Sequence, residues 1–399
     1  MKRTAIPMRS CWMRAASVCF ALILSVETLA AQQSYSSPAP KDAISMALGG
    51  ISTALPGAES SFFGNPAGFA APKASLTLVS ADAWAYIKPT SPNIAALADA
   101  ARSSNPLSAA AGLMPGNGGI GGGASVGIGY AGKGLGLGIF ATTDDFAAGS
   151  GIPGAVLDSV TEIDAVIGLG VPVKLFGSTL SIGGDIRPFY LVSGTEPYAV
   201  AVDSLSPGGA GSYQTGLPGN PSVIDAGFGL AMDLGASLQL GSLGIGISAR
   251  DISPSFPIWT GTFQQFFGSL ANGSPPNAIN SSNTAVLKPD VSVGMSWKPR
   301  LVPGFIDPAL YLELQDPVWV VQNWEGIGSA LDLLHAGVEL KLLNFITLRG
   351  GINRGCLSAG AGLRLLFVDV NAAVFTEELG ALPGNNPRTG VALQAAIRF

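Results

Sequence analysis

Apolar and polar side chains alternate along most of the chain after residue 74. Between Asp225 and Leu240, every second residue is apolar and the residues between them are small or polar. A helix would mix these two sets, so a period of two predicts strands with one apolar and one polar face. The same alternation predicts fourteen strands, at 74–85, 123–131, 134–143, 160–175, 179–192, 223–241, 242–252, 288–299, 306–316, 331–342, 345–353, 356–366, 368–376 and 390–399.

The two faces of these strands differ in the charge they carry. Arginine on the lipid side of a membrane barrel costs about 2–4 kcal/mol at the bilayer midplane, so it belongs on the lumen side. Arg187, Arg250, Arg349 and Arg364 all fall on the polar phase. Charged residues make up 12% of the chain and the mean hydropathy is +0.41. A soluble β-sandwich or solenoid adhesin, the main alternative, would carry many more charged residues, about 25% in typical soluble domains.

The connections between the predicted strands alternate in length. They are short after the even-numbered strands and long after the odd-numbered ones, except after the eleventh. This is the pattern of periplasmic turns and outer loops in a membrane barrel. We therefore predict an all-β fold, a 14-stranded antiparallel transmembrane β-barrel over residues 74–399. Aromatic residues at the short-turn end would form an interfacial girdle: Tyr130, Phe176, Trp297, Phe305, Phe345, Phe367 and Phe399.

The first residues resemble a secretory signal peptide. Lys2, Arg3, Arg9 and Arg14 precede an apolar stretch over 15–26, and small residues follow, with cleavage expected near Ala30 or Ala31. We assign 1–31 to the signal peptide and expect the outer membrane of a diderm bacterium. A membrane anchor is the alternative, and a lipoprotein cysteine at Cys19 lacks a good lipobox. The mature chain has no run of Lys or Arg, so no nucleic-acid partner is expected.

Few residues of the mature chain suit catalysis. Cys356 is its one cysteine and His335 its one histidine, which disfavours disulfides, cysteine metal clusters and nearly every zinc site. His335 lies mid-strand on the polar phase, which favours a structural role in the lumen. Neither a nucleophile elbow nor a Walker motif is present. We therefore expect no enzyme activity, no cofactor and no metal.

Residues 32–73 do not alternate like the strands. They contain a small-residue segment with Gly49 and Gly50, and then the sequence Asn65, Pro66, Ala67 and Gly68. In these motifs the chain resembles the FadL-like family of outer-membrane transporters for long-chain fatty acids and other hydrophobic compounds. The resemblance covers 45–70 and the strand pattern, and it implies that 32–73 folds into the barrel as a plug.

The resemblance also implies a route for ligands. They would be captured at outer loops, pass a lumen site beside the plug and leave sideways through a kinked third strand. Gly134, Gly136 and Gly138 in that strand are open to two interpretations, a site of bending or the ordinary glycine content of this barrel.

Two further segments are assigned functions. The connection after the seventh strand holds six large apolar side chains, for which a hydrophobic capture site and a self-packed loop are weighed equally: Phe256, Ile258, Trp259, Phe263, Phe266 and Phe267. The last strand ends in an aromatic residue, which resembles the signal read by barrel-assembly machinery, with Val391, Leu393, Ile397 and Phe399 on its apolar face.

These features predict a passive transporter that takes up long-chain fatty acids or other hydrophobic small molecules through a plugged barrel. A non-transporting barrel that serves as scaffold, adhesin or secretion accessory is the alternative. The expected partners are the lipid bilayer, a hydrophobic small-molecule ligand and the barrel-assembly machinery, and nothing requires more than a monomer.

Overall fold

A computed structural model describes residues 33–55, 57, 59–88, 119–148, 156–175, 177–197, 223–261, 280–299, 304–322, 333–378 and 387–399. The signal peptide assigned to 1–31 and Phe176 of the girdle lie outside these residues. Seventeen strands and two short α-helices fall within them. In the described part of the chain, no helix is both long and apolar enough to cross a membrane.

The N-terminal segment begins with strand β1 (Gln33–Tyr35). Helix α1 (Ala43–Ala47) follows, and Asp42 caps its N-terminus by accepting hydrogen bonds from the amides of Ile44 and Ser45 at 3.0 and 2.9 Å. Two 3₁₀ turns, Glu59–Ser61 and Pro66–Ala70, complete the segment. Most of the segment between these short elements has no regular secondary structure.

Fourteen strands close into a barrel, as the alternation predicts. They are β2 (Ser75–Lys88), β3 (Gly119–Gly132), β4 (Leu135–Ala148), β5 (Val156–Leu175), β6 (Ser178–Pro197), β7 (Val223–Leu240), β8 (Leu243–Ile252), β11 (Asp290–Trp297), β12 (Ile306–Gln315), β13 (Leu334–Leu342), β14 (Ile346–Asn353), β15 (Cys356–Leu365), β16 (Val368–Glu378) and β17 (Pro387–Arg398). Neighbouring strands pair antiparallel throughout, and β17 pairs with β2 to close the barrel.

Each barrel strand corresponds to one predicted strand, and its two faces are those of the alternation. On β7, Phe228, Leu230, Met232 and Leu234 are exposed on the outer face, whereas Asp233 between them is buried. Arg187 and Arg250 are likewise buried in the lumen. An apolar outer belt around a charged interior is the arrangement of a transmembrane barrel.

The connection after β8 differs from the prediction of a loop. It forms a hairpin of β9 (Phe256–Gly261) and β10 (Asn280–Leu287), joined by residues outside the described part. Strand β9 pairs with the outer part of β7, and β10 pairs with β9 and, in parallel, with β1. Nearer the short-turn end of the barrel, β8 pairs directly with β11. The alternation of apolar and polar residues is hard to recognise in β9 because the strand is short and contains Pro257.

The strands differ in height around the barrel. Strands β5 and β6 have 20 residues each, about twice the length that crosses a bilayer, whereas β11 has eight. Because short turns join β3 to β4 and β5 to β6 at one end, the extra length projects at the long-loop end. Helix α2 (Pro317–Gln322) lies in the connection between β12 and β13, at that same end.

Candidate functional site: the barrel lumen

The N-terminal segment lies inside the barrel and contacts the lumen face of most strands. The carboxylate of Glu313 on β12 accepts hydrogen bonds from the amides of Ser52 and Ala54, at 3.1 and 2.9 Å to Oε2. On β13, His335 Nδ1 lies 2.7 Å from the carbonyl oxygen of Gly49. Both side chains are almost fully buried, Glu313 at 1% and His335 at 4% exposure. The structural role predicted for His335 is therefore to hold this segment.

Gly49 and Gly50 allow the chain to turn closely against β14. Their φ angles are +81° and +82°, a region that glycine occupies without strain. A Cβ on Gly49 would collide with the backbone of Ile352, and one on Gly351 of β14 would meet Ala47 and Leu48. These glycines of the predicted plug motif thus permit direct backbone contact between the segment and the wall.

The Asn65–Gly68 motif docks against β6, β7 and β8. Asn65 Oδ1 accepts from the amide of Ala67 at 3.0 Å, which caps the 3₁₀ turn that Pro66 begins. Its Nδ2 donates to the carbonyls of Ala236 and Ile247 at 3.1 and 3.3 Å. Gly68 has no room for a Cβ against Ser61. One asparagine therefore organises the turn and bonds it to two strands of the wall.

A buried charge cluster on β5 to β8 also contacts the segment. Arg187 pairs with Glu162 at 2.7 Å and with Asp251, and it donates to Ser37 Oγ at 3.1 Å. Arg250 donates to the carbonyl of Phe63 at 2.5 Å. The cluster thus uses two guanidinium groups to join the N-terminal segment to the wall.

Aromatic rings cover the lumen face of β3 to β5. Phe69 is fully buried, and its ring occupies the space where a side chain on Gly136 or Gly168 would lie. Phe62 packs against Phe140 with ring centroids 4.9 Å apart. Gly136 and Gly138 of the predicted third strand therefore make room for rings of the N-terminal segment and of β4, a role that neither sequence interpretation included.

Two cavities lie along the lumen. The inner one, at the short-turn end, has a volume of about 600 Å³ and carries Phe62, Phe63 and Phe140 on one side. Its other side is charged, with Lys298, Lys341, Arg349, Arg364 and Arg398 alongside Asp369 and Glu339. These guanidinium groups are ion-paired, as in Arg349 with Glu339 at 2.8 Å. The cavity therefore offers both an apolar and a polar wall.

The outer pocket, at the long-loop end, has a volume of about 410 Å³. It is lined by Tyr86, Phe146 and two cations, Lys88 and Arg388. The rings of Tyr86 and Phe146 stack with centroids 6.0 Å apart, and Lys88 and Arg388 lie over ring faces at 5.4 and 4.2 Å. Both volumes lie in the range of small-molecule sites.

The aromatic segment after β8 is only partly described. Phe256 and Ile258 of β9 are buried against Phe189 and Leu191 of β6. Trp259 stacks on Phe228 of the outer face at 5.4 Å. These contacts are those of the self-packed alternative, whereas Phe263, Phe266 and Phe267 lie outside the described residues. A capture role for the six stays a prediction.

The C-terminal strand completes the outer face. Val391, Leu393 and Phe399 are exposed there, and Phe399 exchanges two 2.9 Å backbone hydrogen bonds with Leu76. Phe399 also stacks on Phe367, 5.5 Å away. Ile397 shares their phase and is half-buried. Recognition of these residues by assembly machinery stays a prediction.

Comparisons with known proteins give structural matches alone. No protein-family description and no curated protein matches the chain. Among solved structures, it is similar to the Ralstonia pickettii toluene transporter TbuX, with 12% identity, a TM-score of 0.49 and coverage of 90% of this chain and 98% of that one. The Pseudomonas putida toluene transporter TodX matches with 12% identity, a TM-score of 0.47 and coverage of 92% and 99%.

A weaker match is the outer membrane phospholipase A from Escherichia coli, with 10% identity, a TM-score of 0.27 and coverage of 80% and 95%. The barrel itself is established by the strand pairing described above.

Proposed function

We propose that this protein is a passive outer-membrane transporter for hydrophobic small molecules, with its N-terminal segment as the plug. The observation that supports it is that the segment contacts the lumen face of the wall, beside a cavity of about 600 Å³ and below a pocket of about 410 Å³ at the long-loop end. Two compartments in series along the lumen suit stepwise passage, whereas a barrel that serves as a scaffold needs neither.

Long-chain fatty acids are the ligand class we favour. The inner cavity sets Phe62, Phe63 and Phe140 on one side and Lys298 and Lys341 on the other. An alkyl chain and a carboxylate would then each have a group to contact. TodX and TbuX are named for toluene, and monoaromatic hydrocarbons are therefore the second class to test.

The outer loop after β8 would supply the first contact. Within this proposal, Phe263, Phe266 and Phe267 capture the ligand at the mouth, while Phe256 and Ile258 anchor the loop in the lumen through their packing on β6. Exit through the side wall near β4, which the family resemblance implies, remains part of the proposal.

The test is binding of a fluorescent long-chain fatty acid to the refolded barrel, with oleate and toluene as competitors. We expect saturable binding that the double variant Phe263→Ala/Phe266→Ala weakens. The matched control is Trp297→Ala, which removes an exposed aromatic side chain of the outer face. Absence of binding and competition by a heat-modifiable barrel would favour the non-transporting alternative.

A further inference from the structure

One row of lumen side chains on β2 leads from one cavity to the other. Along the lumen face of β2, Asp82 lines the inner cavity and Tyr86 lines the outer pocket. Trp84 lies between them in the same phase, belongs to the lining of neither cavity and is 4% exposed. We propose that Trp84 is the gate between the outer pocket and the inner cavity, which opens for an uncharged molecule or an alkyl chain. This inference rests on the proposed transport function.

One carboxylate holds the indole in place. Trp84 Nε1 donates to Asp144 Oδ1 on β4 at 2.8 Å, and the hydroxyl of Tyr86 donates to the same oxygen at 3.3 Å. Lys41 of the N-terminal segment reaches the other oxygen of Asp144, with Nζ 3.5 Å from Oδ2. Because the plug and the indole share Asp144, a shift of Lys41 changes the partner that keeps Trp84 closed.

The indole packs directly on a glycine of the neighbouring strand. Gly123 on β3 lies directly beneath it, and a Cβ there would lie 2.5 Å from Trp84 Cζ2. On the other side, Trp84 shares an apolar cluster with Ala43 and Ala47 of α1. Other rings cover the glycines of β3 above and below this contact, Tyr86 and Phe146 at Gly121 and Gly119 and Phe140 and Phe62 at Gly127 and Gly129. Trp84 therefore completes a row of rings on β3, and its displacement would connect the two cavities.

The residues on either side of the gate indicate what passes. Above Trp84, the stacked rings of Tyr86 and Phe146 line the outer pocket. Below it, Phe62 and Phe140 line the inner cavity. Apolar groups can exchange one ring surface for the next, whereas a charged group at the gate would lose its hydration beside a buried indole. The class that fits is an apolar molecule or the alkyl chain of an amphiphile.

The experiment measures leakage of a small polar solute rather than ligand transport. The full mature chain is reconstituted into liposomes, and swelling in a monosaccharide solution is recorded. Trp84→Ala removes the partition and should swell fastest. Trp84→Phe keeps a ring but loses the bond to Asp144, and loss of one such buried hydrogen bond should raise the open fraction about fivefold. Trp297→Ala on the outer face is the control and should match the wild type.

A second variant keeps the test decisive if Trp84→Ala does not fold. Asp144→Ala leaves the indole intact but removes its acceptor, and it should raise leakage above the wild type. Swelling of folded Trp84→Phe and Asp144→Ala barrels at the wild-type rate would overturn the gate. If the variants leak while fatty acid and toluene fail to bind any of these barrels, the gate stands and the proposed transport function fails.

Discussion

The N-terminal segment meets two parts of the wall in different ways. Against β6 to β14 it is held by directed polar contacts, as in the bonds of Glu313 to Ser52 and Ala54 and of Asn65 to two wall carbonyls. Against β2 to β4 it presents aromatic rings over glycine and the ion pair of Lys41 with Asp144. Its directed backbone bonds on this side lie at the β3–β4 turn, where the amides of Lys133 and Gly134 donate to the carbonyls of Ala71 and Phe69 at 2.7 and 2.8 Å.

We infer from this difference that the segment is held firmly against β6 to β14, the fixed side, and can move more easily against β2 to β4, the second side. Hydrogen bonds between buried groups have one good geometry and a high cost when left unmade. The phenylalanine rings over glycine make no directed polar bond, and on this side the described ring donors are Trp84 and Tyr86, which share Asp144. Both cavities border the second side, through Gly127 and Phe140 for the inner one and Tyr86 and Phe146 for the outer one. The comparison thus predicts where the plug is anchored and where passage occurs.

The largest effect is expected from breaking the fixed side at Glu313. Glu313→Ala leaves the amides of Ser52 and Ala54 buried without their acceptor, which should weaken docking of the segment by about 3–5 kcal/mol. The barrel should remain heat-modifiable while residues 42–71 become sensitive to limited proteolysis. Glu377→Ala, which breaks an ion pair with Arg388 at the long-loop end, should leave the segment protected. Equal protection of both variants would show that Glu313 is not an anchor.

Phe69 tests the ring contacts at β4 and β5. Phe69→Ala removes a fully buried ring and should cost about 3–4 kcal/mol of docking free energy. Phe69→Leu retains most of the apolar contact and should cost less. The measurement is urea-dependent protection of the segment in detergent micelles. A loss under about 1 kcal/mol for Phe69→Ala would mean that the ring does not fill the space over Gly136.

The side chain of Asn65 makes two kinds of contact, one within the turn and one to the wall, and substitutions can remove them separately. Asn65→Ser keeps an oxygen that can cap the turn but removes the donor to Ala236 and Ile247, whereas Asn65→Ala removes both. We expect losses of about 1 and about 2 kcal/mol, in that order, from the same protection assay. Identical losses for the two variants would contradict the dual role.

The smallest effect concerns the cap of α1. Burial raises the pKa of the Asp42 carboxyl above its ordinary value of 3.8, and the bonds from Ser45 and Ile44 oppose the rise. A raised pKa disfavours the charged form in the folded state, so this group's contribution to docking falls as the pH rises above 3.8. Asp42→Asn keeps the cap and should remove that pH dependence, while Asp42→Ala should lose about 1 kcal/mol. The measurement is protection of the segment from pH 3 to pH 8. If Asp42→Asn shows the same pH dependence as the wild type, Asp42 is not the titrating group.

The barrel could be predicted from the sequence because a period of two is a strong signal when lipid bathes one face. Each of the fourteen strands was identified, and the ends shifted by a few residues. Strands β1, β9 and β10 were missed because they are short and pair within the lumen and at the mouth, where no lipid enforces the alternation.

The gate was also missed, although a signal was present. Asp82, Trp84, Tyr86 and Lys88 share the polar phase of β2. Trp84 and Tyr86 are large aromatic residues on the lumen face, and the next strand carries glycines opposite them. This combination indicates that aromatic side chains pack inside the barrel at this height. The partners of Trp84 on β4 and in the N-terminal segment, however, follow from strand order and register, which no local pattern encodes.

The most direct test of the account is a covalent tether on the fixed side. The hydroxyl oxygens of Thr53 in the segment and Ser248 on β8 lie 2.6 Å apart, so cysteines at these two positions would place their sulfur atoms within reach of a disulfide. In a Cys356→Ser background, Thr53→Cys/Ser248→Cys should crosslink on oxidation and leave uptake of hydrophobic probes unchanged. Failure to crosslink would contradict the placement of the segment in the lumen, and loss of uptake after crosslinking would contradict the claim that this side stays fixed.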